Sequence, residues 1–86
     1  MSNVITLTAG GKEIRFTPNI TAYNKYINEM MPNDKVAPAT NYLRRIVHSD
    51  DKKALDEVLK LPGGVMKILV KVNEEFEGDL EVEVKN

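Results

Sequence analysis

The sequence predicts a small α+β domain. Two alternating segments flank a Gly-Gly pair near the N-terminus, segments with helical spacing of apolar residues follow, and a last alternating segment comes at residues 80–84. A length of 86 residues leaves room for a single domain, residues 1–86. We therefore predict an N-terminal β-hairpin, three to four short helices, and a C-terminal strand that completes a small antiparallel sheet.

The hairpin is predicted by residues 4–8 and 12–17, which alternate between apolar and polar side chains. Gly10 and Gly11 lie between them and suit a two-residue turn that requires positive φ. A period of two then determines the register. It pairs Ile5 with Phe16 and Leu7 with Ile14 on the core face, and Thr6 with Arg15 and Thr8 with Glu13 on the solvent face.

The first helix is predicted to start at Thr17-Pro18, because the residue before proline is held in the β region that an N-cap needs. Pro32 ends it near Met31. Its apolar stripe at helical spacing comprises Ile20, Tyr23, Ile27 and Met30 or Met31.

Two short helices are predicted next. The dipeptide Ala37-Pro38 starts the second, whose apolar side comprises Ala39, Tyr42, Leu43, Ile46 and Val47. Ser49 is expected to cap the third, with Asp50 and Asp51 in its first turn at the positive end of the dipole. Pro62-Gly63-Gly64 stops this third helix after a stripe of Leu55, Val58 and Leu59.

A fourth helix is predicted over residues 65–76, with Gly78 as its C-terminal cap. Its stripe comprises Val65, Ile68, Leu69, Val72 and Phe76, and Met66 and Val70 lie off it. Leu80, Val82 and Val84 then alternate with charged residues. This pattern predicts a strand over residues 80–84 that joins the hairpin.

Composition excludes several classes of protein. The chain has no cysteine, which excludes disulfides, thiolate zinc sites and thiol catalysis. Neither a signal peptide nor a membrane-spanning segment is expected, and we place the protein in the cytoplasm. Residues 73–86 hold six acidic side chains against one lysine, a charge that argues against a nucleic-acid partner.

No residue set indicates catalysis. His48 is the single histidine and lacks a nucleophile at usable spacing. Asp50 and Asp51 are adjacent, so on a helix their carboxylates point about 100° apart, which disfavours a shared metal ion. We expect no catalytic residue, no metal ligand and no cofactor.

A small DNA-binding regulator remains an alternative, because the second and third helices are joined by a tight turn at Ser49. Charge argues against it. The third helix would bring Asp50, Asp51, Asp56 and Glu57 towards phosphates.

The candidate binding surface consists of apolar side chains at or beyond the edges of the predicted core stripes. They are Tyr26, Met30, Met31, Met66 and Val70. Flexible methionines suit surfaces that accept several apolar partners. The same side chains could instead fill a second side of the small core, and the residues alone leave both interpretations open.

Several segments together resemble the small tail assembly chaperones of tailed bacteriophages and prophages. They are the opening hairpin, the stretch Ala22-Tyr23-Asn24-Lys25-Tyr26-Ile27-Asn28-Glu29, the helix start Val36-Ala37-Pro38-Ala39 with Asn41-Tyr42-Leu43-Arg44, the break Leu61-Pro62-Gly63 and the acidic C-terminal segment. The resemblance covers nearly the whole chain.

That resemblance implies a non-enzymatic role in the host bacterial cytoplasm. The protein would transiently hold tail components during assembly, the tape-measure protein especially and the tail tube protein as a further candidate. The resemblance is also compatible with a homo-oligomer. A structural component of the tail is the remaining alternative.

Overall fold

A computed structural model describes residues 4–78 and 82–85. The predicted α+β class is confirmed. In chain order the elements are β1 (Ile5–Ala9), β2 (Lys12–Phe16), α1 (Ile20–Glu29), α2 (Val36–Ile46), a 3₁₀ turn (Ser49–Asp51), α3 (Lys52–Leu59) and α4 (Gly64–Glu77).

The hairpin has the predicted register. β1 and β2 are antiparallel, with Ile5 opposite Phe16 and Leu7 opposite Ile14. The turn is made by Gly10 and Gly11 at φ values of 58° and 77°, the left-handed region that other residues rarely adopt. Ile14 and Phe16 of β2 are fully buried, as the alternation predicts, whereas Lys12 at the turn is exposed.

The predicted third strand is wrong for the part that the structure describes. Residues 82–85 form no strand, and Val82 and Val84 are 84% and 86% exposed. Residues 80 and 81 of the predicted strand lie outside the described residues. The place beside β2 is filled by the connection between α2 and α3, because Phe16 forms an antiparallel bridge with Val47.

Backbone hydrogen bonds hold this junction between β2 and residues 46–48. The Thr17 amide donates to the carbonyl of Ile46 at 2.8 Å, and the His48 amide donates to the carbonyl of Arg15 at 2.9 Å. Thr17 thus pairs with the connection between α2 and α3 and is not the helix cap that the sequence predicts. Sequence periodicity could not reveal this pairing, because it joins segments about thirty residues apart and involves too few residues to show a strand pattern.

The start and the buried face of α1 differ from the prediction. Asn19 is its N-cap, and the side-chain oxygen accepts a hydrogen bond from the Ala22 amide at 2.8 Å. The helix buries Ala22 and Tyr26, whereas Ile20 and Ile27 of the predicted stripe are 62% and 44% exposed. Both faces have helical spacing, so packing against the rest of the chain decides between them.

The predicted apolar sides of α2, α3 and α4 are largely confirmed. One core cluster contains, from these helices and the residue after α2, Ala39, Tyr42, Leu43, Ile46, Val47, Leu55, Val58, Ile68, Leu69 and Val72. Leu59, Val65 and Phe76 pack against it while partly exposed. The Gly63-Gly64 break lets α4 start close to α3, since a Cβ on Gly64 would overlap the carbonyl oxygen of Val58. Gly78 ends α4 at a φ of 65°, as predicted.

The Asp51 carboxylate binds the hairpin and makes no capping hydrogen bond, although Asp51 is the N-cap residue of α3. Its carboxylate accepts hydrogen bonds from the backbone amide of Arg15 at 2.9 Å, from Nε at 2.9 Å and from Nη2 at 3.2 Å. Ser49, the predicted cap, makes no capping hydrogen bond with its side chain. The hydrogen bonds from Arg15 lower the pKa of the Asp51 carboxyl below its ordinary value of 3.8.

This lowered pKa predicts that the ionised Asp51 carboxylate stabilises the folded chain and that acid removes this stabilisation. The contribution is present above the ordinary aspartate pKa and is lost as pH falls through the lower folded value. Asp51→Asn should therefore lower the melting temperature at neutral pH. The difference in melting temperature between this variant and wild type should become smaller below pH 3.8. Thermal melts across this range test the prediction. Asp50→Asn is the control, and equal pH profiles for the two variants would contradict it.

Candidate functional site

An apolar groove lies between β1 and the first half of α4. Its volume is about 630 Å³, within the range of about 300–1,000 Å³ usual for ligand pockets. We call it the α4–β1 groove. Its lining residues are Leu7, Thr8, Ala9, Met66, Lys67, Ile68, Val70 and Lys71.

Two sequence periods build the apolar walls of the groove. On β1 the alternation puts Leu7 and Ala9 on the same face, and both are partly buried against the core. On α4, Met66 and Val70 are four residues apart and so lie on one side of the helix, where they are 38% and 50% exposed. Ile68 is only 5% exposed and belongs to the core. The groove is therefore an apolar surface beside the core.

Two lysines line the groove beside these walls. Lys67 and Lys71 are also four residues apart on α4. Lys71 makes an ion pair with Glu74 at 3.7 Å, but both side chains are more than half exposed, and such surface pairs contribute little. The ammonium groups can therefore meet an acidic partner with little loss of existing interactions.

The edge of β1 next to the groove has no strand partner among the described residues, whose sheet contains β1 and β2 only. β1 has the sequence ITLTA, without proline or a charged side chain. Natural edge strands commonly carry such residues to prevent pairing with another chain. The groove thus offers backbone hydrogen-bonding groups as well as apolar walls.

The structure separates the residues that the sequence grouped as a candidate surface. Met66 and Val70 meet in the groove. Tyr26 is 5% exposed and lies in the core, which contradicts its predicted place at the edge of a stripe. Met30 is partly buried against the core, and Met31 is 59% exposed in a turn where it bridges to Asp34. Met30 and Met31, which follow the end of α1, do not line the groove.

An aromatic cluster explains the burial of Tyr26. Its ring stacks on Tyr42 with centroids 5.2 Å apart, and Tyr23 contacts both rings and Phe76. Burial raises the pKa of Tyr42 to about 12. The Tyr23 hydroxyl donates to Glu77 at 2.7 Å, and this hydrogen bond raises the pKa of Tyr23. The cluster fixes α1 and α2 against the second half of α4.

Sequence reasoning missed Leu7 and Ala9 as groove residues. The alternation of residues 4–8 predicts Leu7 on the core face and does not extend to Ala9. It does not predict that α4 leaves these two side chains partly exposed. A usable signal was the position of Met66 and Val70 off the α4 stripe, because such residues need a neighbour other than the core.

The side chains considered for catalysis have structural contacts. His48 Nε2 lies 2.7 Å from the Thr17 hydroxyl oxygen at the junction beside β2. Within residues 4–78 and 82–85, no group of three or more His, Asp or Glu residues is placed to hold a metal ion. In that part of the chain no helix has the length and apolar character needed to cross a membrane.

The surface between α2 and α3, considered for DNA binding, has mixed charge. Arg44 Nε donates to Asp56 Oδ1 at 3.1 Å. This pairing leaves less free positive charge for phosphates.

Comparison with known proteins decides the family. A family model described as phage tail assembly chaperone matches residues 5–86. The chain belongs to the phage tail assembly chaperone family. An uncharacterized 11.3 kDa protein in the lys 3′ region of Haemophilus phage HP1 is 33% identical over 86 residues, which is all of this chain and 84% of the relative. No solved structure matches the chain.

Membership confirms the resemblance seen in the sequence. The general role is that of a chaperone in phage tail assembly, a role that implies interaction with phage tail proteins. Interaction with tail proteins requires a surface that can bind other chains. An apolar groove beside a free strand edge is a surface suited to such binding.

The exposure of the groove residues predicts how substitutions affect stability. The double variant Met66→Ser/Val70→Ser should retain most of the thermal stability, because both side chains already contact water. Ile68→Ser, on the same helix, should destabilise by about 2–4 kcal/mol because it removes a core side chain. Chemical denaturation of the two variants tests this. Unfolding of the double variant would show that Met66 and Val70 belong to the core.

Proposed function

We propose that the α4–β1 groove holds apolar segments of the tape-measure protein while the tail assembles in the host bacterial cytoplasm. The observation that carries this proposal is the pair Met66 and Val70, which are exposed beside Leu7 and Ala9 in an apolar groove. Family membership supports this proposal, since a tail assembly chaperone acts on tail proteins. No reaction is needed for this role.

The size and chemistry of the groove suit a repetitive client. Met66 is flexible and polarizable, so it can adapt to different apolar side chains. Full burial of two or three client side chains contributes about 1.5–3 kcal/mol each. Association costs at least about 4 kcal/mol in lost freedom of motion. Binding at one groove is therefore weak, and several chaperone molecules on one long client would hold it together.

Weak individual contacts also favour release. A client segment that packs against other tail proteins exchanges one apolar partner for another and leaves the groove free. The chaperone would then be absent from the finished particle. A structural tail component would remain in it, so the composition of purified particles separates the two roles.

Capture of the tape-measure protein tests the proposal. The tagged chain is expressed together with the tape-measure protein, and the amount of client that copurifies is measured. Met66→Ser/Val70→Ser should reduce the apparent affinity about tenfold, a change of about 1.4 kcal/mol. The tail tube protein is tested in the same way as a second client.

The matched control is Ile20→Ser/Ile27→Ser, which removes two exposed apolar side chains from α1, away from the groove. This control should capture the client as wild type does. Full capture by the groove variant would contradict the proposal. Loss of capture in the α1 variant alone would place the client surface on α1.

A further inference from the structure

We propose that the C-terminal segment of a second copy of this chain adds to the free edge of β1 and covers the α4–β1 groove. In a pair of copies each would give its residues 82–85 and receive those of the other. The inference concerns self-association and needs no client, so it goes beyond the proposed function.

The first observation is the pattern of the C-terminal segment. Val82 and Val84 are 84% and 86% exposed, the highest exposures of large apolar side chains in the described part of the chain. They alternate with Glu83 and Lys85. In an extended segment both valines would face the same side and both charges the other. This is the pattern of a strand with one apolar face.

The second observation is the receiving edge. β1 lacks a strand partner on its outer side within the described residues, whereas β2 already contacts Val47. A strand added to β1 would satisfy its unpaired backbone groups. It would also place alternate side chains beside Leu7 and Ala9, towards Met66 and Val70. The two valines would thus enter the groove.

Charge favours the same partner. Residues 79–85, which follow α4, hold three acidic side chains and one lysine, and the receiving groove carries Lys67 and Lys71. An acidic segment is attracted to such a groove, whereas a basic segment would be repelled. The segment and the groove therefore match in both charge and hydropathy.

The exposure of both valines in the single chain favours exchange between copies over folding back. The residues of α4 that line the groove, Met66 to Lys71, precede Gly78 by seven to twelve positions, or roughly 10–18 Å at 1.5 Å per residue. Val82 and Val84 follow Gly78 by four and six residues, which span at most about 14 Å and about 22 Å. Val82 and Val84 would have to return along most of that length and also cross to β1. In the described chain both valines are exposed rather than in their own groove.

Reciprocal exchange strengthens the association. A two-fold pair buries two segments in two grooves for a single loss of translational and rotational freedom. The apolar area covered is doubled relative to one-sided binding. Each groove is covered until a stronger ligand displaces the segment.

Chemical cross-linking tests the proposal directly, because the chain has no native cysteine. Ala9→Cys and isotope-labelled Val82→Cys are mixed and treated with a short bis-maleimide reagent, and mass spectrometry identifies the products. A cross-link between the labelled and the unlabelled chain is expected. Thr6→Cys replaces Ala9→Cys in the control, since Thr6 is exposed on the opposite face of β1 and should cross-link less.

The double variant Ala9→Cys/Val82→Cys separates exchange from folding back. Cross-links confined to one chain, or none above the Thr6→Cys control, would overturn the proposal.

Light scattering adds a measurement on chains without cysteine. Wild type should form dimers, and Val82→Ser/Val84→Ser should weaken them about tenfold or more while leaving the fold intact. A wild type that stays monomeric at every concentration would also overturn it. No tail protein is present, so these outcomes are independent of the client experiment.

Discussion

The placement of the hairpin depends on one junction, where the end of β2 meets residues 46–48 and Asp51. Phe16 bridges to Val47, backbone hydrogen bonds flank this contact, and the Asp51 carboxylate binds both the backbone and the side chain of Arg15. The connection between α2 and α3 thereby provides the backbone contacts to β2 that a third strand would otherwise provide. Because β2 is occupied, the outer edge of β1 is the side of the described hairpin that faces a free space.

The groove follows from this junction together with the aromatic cluster at the other end of α4. Tyr23 packs against Phe76 and Tyr42, so α1 and α2 hold the second half of α4. The first half passes beside β1, and Met66 and Val70 remain partly exposed there. An exposed apolar groove can be kept in so small a domain because the core is completed without these side chains. Burial of Ile68 and Leu69 on the same helix anchors the wall of the groove.

The sequence was sufficient where the pattern is local. A period of two and a Gly-Gly turn determined the register from Ile5 to Phe16. Met66 and Val70, which lie off the predicted α4 stripe, are partly exposed as that position predicts. The sequence did not predict the observed arrangement where two local arrangements are both compatible with its pattern. Both faces of α1 are apolar enough for a core, and stacking with Tyr42 selects the one with Tyr26. Asp51 suits a helix start, yet Arg15, thirty-six residues away, binds it. Such choices depend on tertiary contacts.

Amide hydrogen exchange with and without the tape-measure protein tests whether the client binds the α4–β1 groove, because it reports where a client covers the chain. Client binding in this groove should slow amide exchange in β1 and in the first half of α4. The amides of α1 should be little changed. Protection confined to α1, with β1 and α4 exchanging as they do in the free chain, would contradict the assignment of the α4–β1 groove as the client site.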